Sequence, residues 1–167
     1  MRLFQHVVPS AATGLVALLL CAQPASAATA AGPGHTPPRD EVFQLVARQT
    51  QGNFIDVDDS SGPSQGDEFV ATGNLDRGSI TVGTYSEICT ITRTAPLDEF
   101  DLQCAADMTL PNGQITLQGR FTVTASGPGE IDLAITGGTG RYSTAQGFVH
   151  GVNVSDTETR LTVHLEH

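Results

Sequence analysis

The feature that most constrains this chain is a two-residue alternation that continues on both sides of a short turn. Along Phe100–Leu110 apolar side chains occupy every second position, and mostly polar ones lie between them. A period of two is that of a half-buried β-strand. Pro111-Asn112-Gly113 supplies a turn, and Gln114–Thr124 returns with the same alternation. The two segments therefore predict an antiparallel β-hairpin.

Similar segments precede and follow this hairpin, and turn residues separate them. They are Val42–Gln49 with a continuation Gly52–Val57 after a bend, Glu68–Leu75, Ser79–Thr94, the two ends of Ile131–Gly151, and Thr157–Glu166. No segment has the apolar period of a long helix. About eight strands joined in hairpins predict an all-β fold, an eight-stranded antiparallel up-and-down barrel with a central cavity. A two-sheet sandwich is the alternative.

A glycine cluster interrupts Ile131–Gly151. Gly137, Gly138 and Gly140 lie within four residues, but no Lys follows them and no long apolar helix begins there. The cluster therefore fits neither the phosphate-binding loop nor the dinucleotide fingerprint. We expect the glycines to provide positive φ angles at a tight corner between two strands.

The N-terminal region has the pattern of a secretory signal peptide over residues 1–27. Arg2 is followed by the apolar run Gly14–Cys21, which is too short to span a bilayer, and by the small residues Ala25-Ser26-Ala27. Residues 28–40 are rich in Ala, Gly and Pro and predict a disordered tether. Residues 41–167 would form the folded domain of a secreted, extracellular protein. The final Leu-Glu-His is either native or the stub of an expression tag.

The charge composition excludes several functions. The chain has 8 basic residues, 18 acidic residues, a formal net charge of −10 and no Lys. The lack of Lys excludes Schiff-base chemistry on a lysine and attachment of pyridoxal phosphate. An acidic surface binds nucleic acid and anionic lipid poorly. We therefore predict no nucleic-acid partner, and no membrane partner after removal of the signal.

Two cysteines remain after removal of the signal, Cys89 and Cys104. In an oxidising compartment an even pair predicts a disulfide, with a reactive thiol as the alternative. No His/Cys spacing typical of a metal site is present. The polar loop Asp56–Asp67 begins like a calcium loop, but Ser61 and Pro63 break the pattern. We therefore predict a solvated loop and no metal.

Three pieces within Val82–His150 carry a family resemblance. They are Ile88-Cys89, the run NGQITLQGRF at Asn112–Phe121, and LAITGGTGRYSTAQG at Leu133–Gly147. Together they resemble the allene oxide cyclase-like barrel family, which is related to plant dirigent proteins. The resemblance implies an eight-stranded barrel with a cavity and no cofactor, and it allows a homo-oligomer, either a dimer or a trimer. Relatives cyclise or isomerise small hydrophobic molecules, or steer the coupling of radicals.

The resemblance also indicates where a site would lie. A plant segment with a Glu and an Asn aligns with Val42–Arg48, so that Gln44 and Val46 replace those two residues. Since an amide cannot supply a carboxylate, we do not expect true allene oxide cyclase activity. Cys89 matches a cavity cysteine, and Phe121 falls near an aromatic cavity position.

The alternation of inward and outward side chains along each strand then predicts further cavity residues. If Gln44 and Cys89 face the cavity, so do their neighbours two residues away and the apolar faces of the central hairpin. The predicted inner residues are Gln44, Val46, Arg48, Tyr85, Glu87, Cys89, Ile91, Met108 and Phe121. We expect Glu87 to be the catalytic acid or base, with Arg48 paired to it or to an anionic substrate group. The alternative is that Glu87 and Arg48 form a salt bridge at the rim or face solvent.

His150 follows the glycine corner, where it is either a ligand-binding acid or base or a structural histidine. Three functions stay open. The first is a cofactor-free cyclase or isomerase acting on a small hydrophobic ligand, and the second a non-catalytic carrier or dirigent-like template. The third is a fully packed barrel that acts through its outer surface.

Overall fold

The computed structural model describes residues 40–96 and 99–166. The predicted signal peptide and all but the last residue of the predicted tether lie outside this range. The described chain contains one three-residue 3₁₀ turn, Gly140–Tyr142, and eight strands. The strands are β1 Glu41–Ile55, β2 Glu68–Arg77, β3 Ile80–Ala95, β4 Glu99–Leu110, β5 Gly113–Val123, β6 Glu130–Gly138, β7 Gln146–Ser155 and β8 Glu158–Glu166. Within this range no helix is long and apolar enough to cross a membrane.

Each strand pairs antiparallel with the next, and β8 pairs back onto β1, so that the sheet is a closed barrel. The predicted barrel is confirmed and the sandwich is wrong. Closure pairs both edges of the sheet, which is the usual reason why hairpin-joined strands form barrels. The bend predicted inside the first strand is a β-bulge between Gln49 and Gln51, and β1 continues through it.

One end of the barrel is packed with side chains. The apolar residues buried there include Leu45, Leu75, Ile115, Val163 and Leu165, each at most 1% exposed. The 3₁₀ turn brings the buried ring of Tyr142 into the same cluster. The sequence did not predict this turn, which together with Tyr142 closes the barrel at this end.

The glycine corner between β6 and β7 permits that closure. Gly137 and Gly140 adopt φ angles of 147° and 60°, a region that favours glycine. A Cβ atom at Gly138 would overlap the carbonyl oxygens of Gln114 and Tyr142. The predicted role of the cluster as a strand corner is confirmed.

The predicted disulfide is present between Cys89 and Cys104. The two residues lie directly opposite each other on β3 and β4, with their Cα atoms 4.0 Å apart. Both side chains belong to a buried apolar cluster with Ile91 and Leu102. The bond therefore joins two neighbouring strands from the inside of the barrel.

A buried carboxylate connects the same strands on the outer face. Asp101 is 1% exposed and accepts hydrogen bonds from Arg93 at 2.7 and 2.9 Å and from the Thr122 hydroxyl at 2.7 Å. The hydrogen bonds from Arg93, and then that from Thr122, hold the pKa of Asp101 far below its usual range. Asp101 therefore stabilises the fold while it is ionised.

This interaction predicts acid sensitivity. A carboxyl with a depressed folded-state pKa stabilises the protein above its unfolded-state pKa of about 4, and the stabilisation is lost as the pH falls below that value. Asp101→Asn should lower the thermal midpoint by several degrees at pH 7, and the difference from wild type should shrink below pH 4. Glu99→Gln, at the exposed end of the same arginine, is the control. A constant difference across pH would contradict the assignment.

The disulfide should contribute about 3 kcal/mol to the free energy of unfolding, because it closes a loop with a sequence separation of 15 residues. Urea unfolding of the Cys89→Ala/Cys104→Ala double variant, compared with wild type, measures this loss. Wild type with a thiol reductant should approach the variant. Equal midpoints with and without reductant would contradict the prediction.

Candidate functional site

A cavity of about 610 Å³ occupies the half of the barrel opposite the packed end. It opens to solvent between the β5–β6 turn at residues 126–128 and the end of β7 with the following turn, residues 153–157, with Phe69 and Phe100 on the other side. This volume lies within the range of small-molecule sites. The interior is therefore not fully packed, and the third function considered above loses its structural basis.

The cavity wall is largely apolar. It is formed by inward side chains of every strand, among them Ala47, Phe69, Phe100, Leu102, Ala106, Met108, Leu117, Phe121, Leu133, Val149 and Leu161. The rings of Phe69 and Phe100 are nearly parallel, with their centroids 6.4 Å apart. Phe54 tilts against Phe69 at 4.8 Å. One side of the mouth is therefore aromatic, and the two turns opposite carry hydroxyl and amide groups.

Glu87 is the carboxylate on this wall. It lies on the inner face of β3, directly opposite Ala71 of β2 and Ala106 of β4. Burial raises its pKa, and among the described residues no other side chain forms an ion pair or hydrogen bond that offsets the effect. A carboxyl with a raised pKa is suited to exchange protons near neutral pH.

Tyr85 is two residues before Glu87 and faces the same way. Desolvation, and then the negative charge of Glu87, raise the pKa of Tyr85 to about 12. The phenol is therefore protonated at neutral pH and is available as a hydrogen-bond donor to a ligand. Glu87 and Tyr85 together form a polar strip on an otherwise apolar wall.

The predictions for β3 to β5 agree with this geometry. Tyr85, Glu87, Cys89, Met108 and Phe121 all line the cavity. Ile91 is buried on the same face, beside the disulfide. The alternative that Glu87 faces solvent is wrong.

The predictions for β1 are wrong by one residue. Gln44 and Arg48 are exposed on the outer face, the alternate position Val46 is half-buried on that face, and Leu45, Ala47 and Gln49 face inward. The resemblance to the plant segment predicts that the even-numbered positions face inward. The odd-numbered positions are the more apolar, and they are the ones that the barrel encloses. Gln44 and Val46 are therefore not the counterparts of cavity residues, although the residues of β1 that line the cavity, Ala47 and Gln49, supply no carboxylate either.

Arg48 does not reach Glu87. Its guanidinium pairs with Asp76 at 3.3 Å and with Glu158, both on the outer face of neighbouring strands. The predicted pairing of Arg48 with Glu87, whether catalytic or at the rim, is wrong. Arg48 therefore links β1 to both of its neighbours, β2 and β8, on the outside of the barrel.

His150 also lies outside the cavity. The inward residues of β7 are Val149 and Gly151, and His150 between them points outward, where its Nδ1 lies 2.8 Å from Asp132. Its predicted ligand-binding position is wrong, and the structural alternative is the one observed.

The sequence reasoning missed other wall residues. Gln49 carries an amide into the cavity, and Phe69 lies at the mouth beside Phe100, which belongs to the predicted inner face of β4. The odd-numbered apolar pattern of β1 could have indicated Gln49. The contact between Phe69 and Phe100 gave no local signal, because the two rings meet only when β2 and β4 flank β3.

The loop that resembles a calcium site is organised by its own hydrogen bonds. Oxygen atoms of Asp56, Asp58 and Asp67 lie within 4.8 Å of one another. Asp67 is fully buried and accepts bonds from the backbone N–H groups of Val57 and Ser64. These bonds account for the convergence, although the loop is less solvated at Asp67 than predicted.

Comparison with known proteins agrees with the fold. The family described as Allene oxide cyclase barrel like domain matches residues 46–165. A comparison with curated proteins finds no significant match.

Several solved structures resemble the barrel. A pyocyanin demethylase superposes with a TM-score of 0.64 at 23% identity, covering 74% of this chain and 99% of its own. A Diels-Alderase from Streptomyces koyangensis gives 0.61 at 14% identity, with coverages of 80% and 70%. A pterocarpan synthase dirigent protein gives 0.57 at 18% identity, with coverages of 81% and 92%. At these identities the likeness establishes the fold alone.

The burial of Glu87 predicts that folding stability decreases as this carboxyl ionises. A carboxyl whose folded-state pKa is raised destabilises the fold as the pH rises above its unfolded-state pKa, because the buried group resists losing its proton. Glu87→Gln should therefore match wild type at pH 3 and exceed its thermal midpoint at pH 8. The exposed Glu130 provides the control Glu130→Gln. A Glu87→Gln variant less stable than wild type at pH 8 would contradict the assignment.

Proposed function

The chain belongs to the allene oxide cyclase barrel like family, and from this membership we propose that it binds a small, largely apolar molecule in its cavity and promotes its cyclisation or isomerisation. The observation that carries the proposal is the position of Glu87. Its side chain is a desolvated carboxylate on the wall of an open apolar cavity of about 610 Å³.

The cavity supplies orientation and proton transfer. Apolar walls exclude water and hold a flexible substrate in a reactive conformer, which lowers the entropic part of the barrier. In its ionised form Glu87 accepts a proton from a carbon or hydroxyl of the substrate, and in its neutral form it returns a proton at another position. The net result is an isomerisation, with no change in oxidation state. The Tyr85 hydroxyl donates a hydrogen bond to oxygen that becomes negative along the reaction.

The similar structures are consistent with this proposal. They include Diels-Alderases and a protein described as a nonspecific heme-binding cyclase that catalyses a [4 + 2] cycloaddition. Each of these activities belongs to the protein named. They support a barrel of this shape as a container for ring-forming reactions.

A non-catalytic carrier or dirigent-like template is the second candidate. It is favoured because Glu87 is the one carboxylate that the described strands direct into the cavity, whereas acid–base catalysis commonly uses two groups with different pKa values. Pterocarpan synthase dirigent proteins share the fold. In this role the cavity would orient a ligand without exchanging protons.

We also propose that the protein is secreted. The support is the signal-like pattern of residues 1–27, together with a disulfide, which forms and persists in oxidising compartments.

A generic proton-abstraction reaction tests the role of Glu87. The carboxylate removes the C3 proton of 5-nitrobenzisoxazole, the N–O bond breaks, and a coloured cyanonitrophenolate forms. We expect turnover above buffer, rising with pH as Glu87 ionises. Glu87→Gln should lower kcat by about 10²–10⁴-fold. The matched control is Glu130→Gln, because Glu130 is exposed on β6 and does not line the cavity.

A second pair of variants tests binding itself. Ala106 lies in the cavity wall opposite Glu87, whereas Ala105 is exposed on the outside of the same strand. Ala106→Trp should abolish binding of the neutral dye Nile red, measured by fluorescence, and Ala105→Trp should leave it unchanged. Dye binding without benzisoxazole turnover would favour the template. Equal binding by both variants would refute the cavity as the ligand site.

A further inference from the structure

The cavity has a one-sided distribution of charge. Of its lining residues within the described chain, Glu87, Asp107 and Asp156 are ionisable acids, and none is Arg or His. Asp107 directs its carboxylate to Ser86 on the outer face, and Asp156 lies in the exposed β7–β8 turn. Glu87 is therefore the charge that a ligand meets inside, and Asp156 adds negative charge at the mouth.

The neighbours of Glu87 do not neutralise it. The strands on either side present Ala71 and Ala106, and its own strand presents Tyr85 and the disulfide-bonded Cys89. The residues across the cavity are mainly aliphatic, with Gln49 as a neutral amide and Thr159 as a hydroxyl. An ionised Glu87 thus lacks a cationic partner among the described residues, and a cation supplied by the ligand would fill that role.

The rest of the wall suits a flat cation. Within residues 40–96 and 99–166, four aromatic rings line the cavity, namely Phe69, Tyr85, Phe100 and Phe121. Aromatic faces carry negative quadrupolar charge and attract cations, most strongly where water is excluded. A formal net charge of −10 also draws cations towards the protein and repels anions.

We propose that the preferred ligand is a planar aromatic molecule that carries a positive charge or a basic nitrogen, bound with that charge at Glu87. This rests on the proposed function, because it specifies the substrate class of the same cavity. Anionic ligands would meet the carboxylate without compensation. Neutral aromatic ligands would fill the apolar wall but leave Glu87 unpaired.

Three probes with the same two fused rings test the preference. They are N-methylquinolinium as the cation, 1-methylnaphthalene as the neutral isostere and 1-naphthoate as the anion. Calorimetric titration of the full chain at pH 8 should give at least about tenfold tighter binding of the cation than of the neutral probe, and weaker binding still of the anion. Glu87→Gln should remove the difference between cation and neutral probe, while Glu130→Gln, at an exposed position that does not line the cavity, keeps it.

A measurement on wild type makes the test independent of the variant's folding. Near the titration midpoint of Glu87, binding of N-methylquinolinium should release a proton, seen as a dependence of the binding enthalpy on the ionisation enthalpy of the buffer. Equal affinities for cation and neutral probe would overturn the charge preference and leave the proposed function standing. A preference that persists in a folded Glu87→Gln variant would overturn the assignment to Glu87. Failure of all three probes to bind would overturn this inference together with the proposed cavity binding.

Discussion

The pairing of β1 with β8 is the interaction on which the rest of this structure depends. It runs from Glu41 opposite Leu165 to Arg48 opposite Glu158, and it joins the two ends of the folded chain. Without it the eight strands would form an open sheet with two exposed edges and an apolar face in water. With it that face becomes an interior. The ion pairs of Arg48 with Asp76 and Glu158 lie on the outside of the barrel where β1 meets its neighbours. They explain why Arg48, which follows the cavity residue Ala47 in sequence, does not line the cavity.

The interior of the barrel has a packed half and an open half. At one end Tyr142 and long aliphatic side chains occupy the space between the strands, and at the other the smaller residues Ala47 and Ala106 leave room for a ligand. An eight-stranded barrel is just wide enough for either outcome, so that side-chain size decides between a packed core and a cavity. The disulfide braces the wall of the open half, two residues from Glu87, where fewer side chains pack across the barrel.

One carboxylate gives this cavity its chemical character. Burial raises the pKa of Glu87, and desolvation, followed by the negative charge of Glu87, raises the pKa of Tyr85. The same desolvation that makes Glu87 a stronger base costs folding stability when the group is ionised. A fold tolerates such a cost where the group serves a ligand, and this links the proposed proton transfer to the proposed preference for a cationic aromatic molecule. The barrel alone specifies neither, because one fold hosts many functions.

The family resemblance at Cys89 implied the inner face of β3, and the sequence by itself determined the strands, the hairpins, the disulfide partners and the inner face of β4 and β5. These depend on alternation and spacing along the chain, and in β4 and β5 one face is clearly the more apolar. Tertiary structure decided the orientation of β1, because both of its faces carry apolar residues, Val42 and Val46 on one and Phe43 and Leu45 on the other. An alternating pattern shows which residues share a face but not which face is enclosed. Tertiary structure also decided the partners of Arg48 and His150, the closure by Tyr142 and the aromatic mouth. Those contacts join residues that are distant in sequence, and they exist only once the barrel has closed.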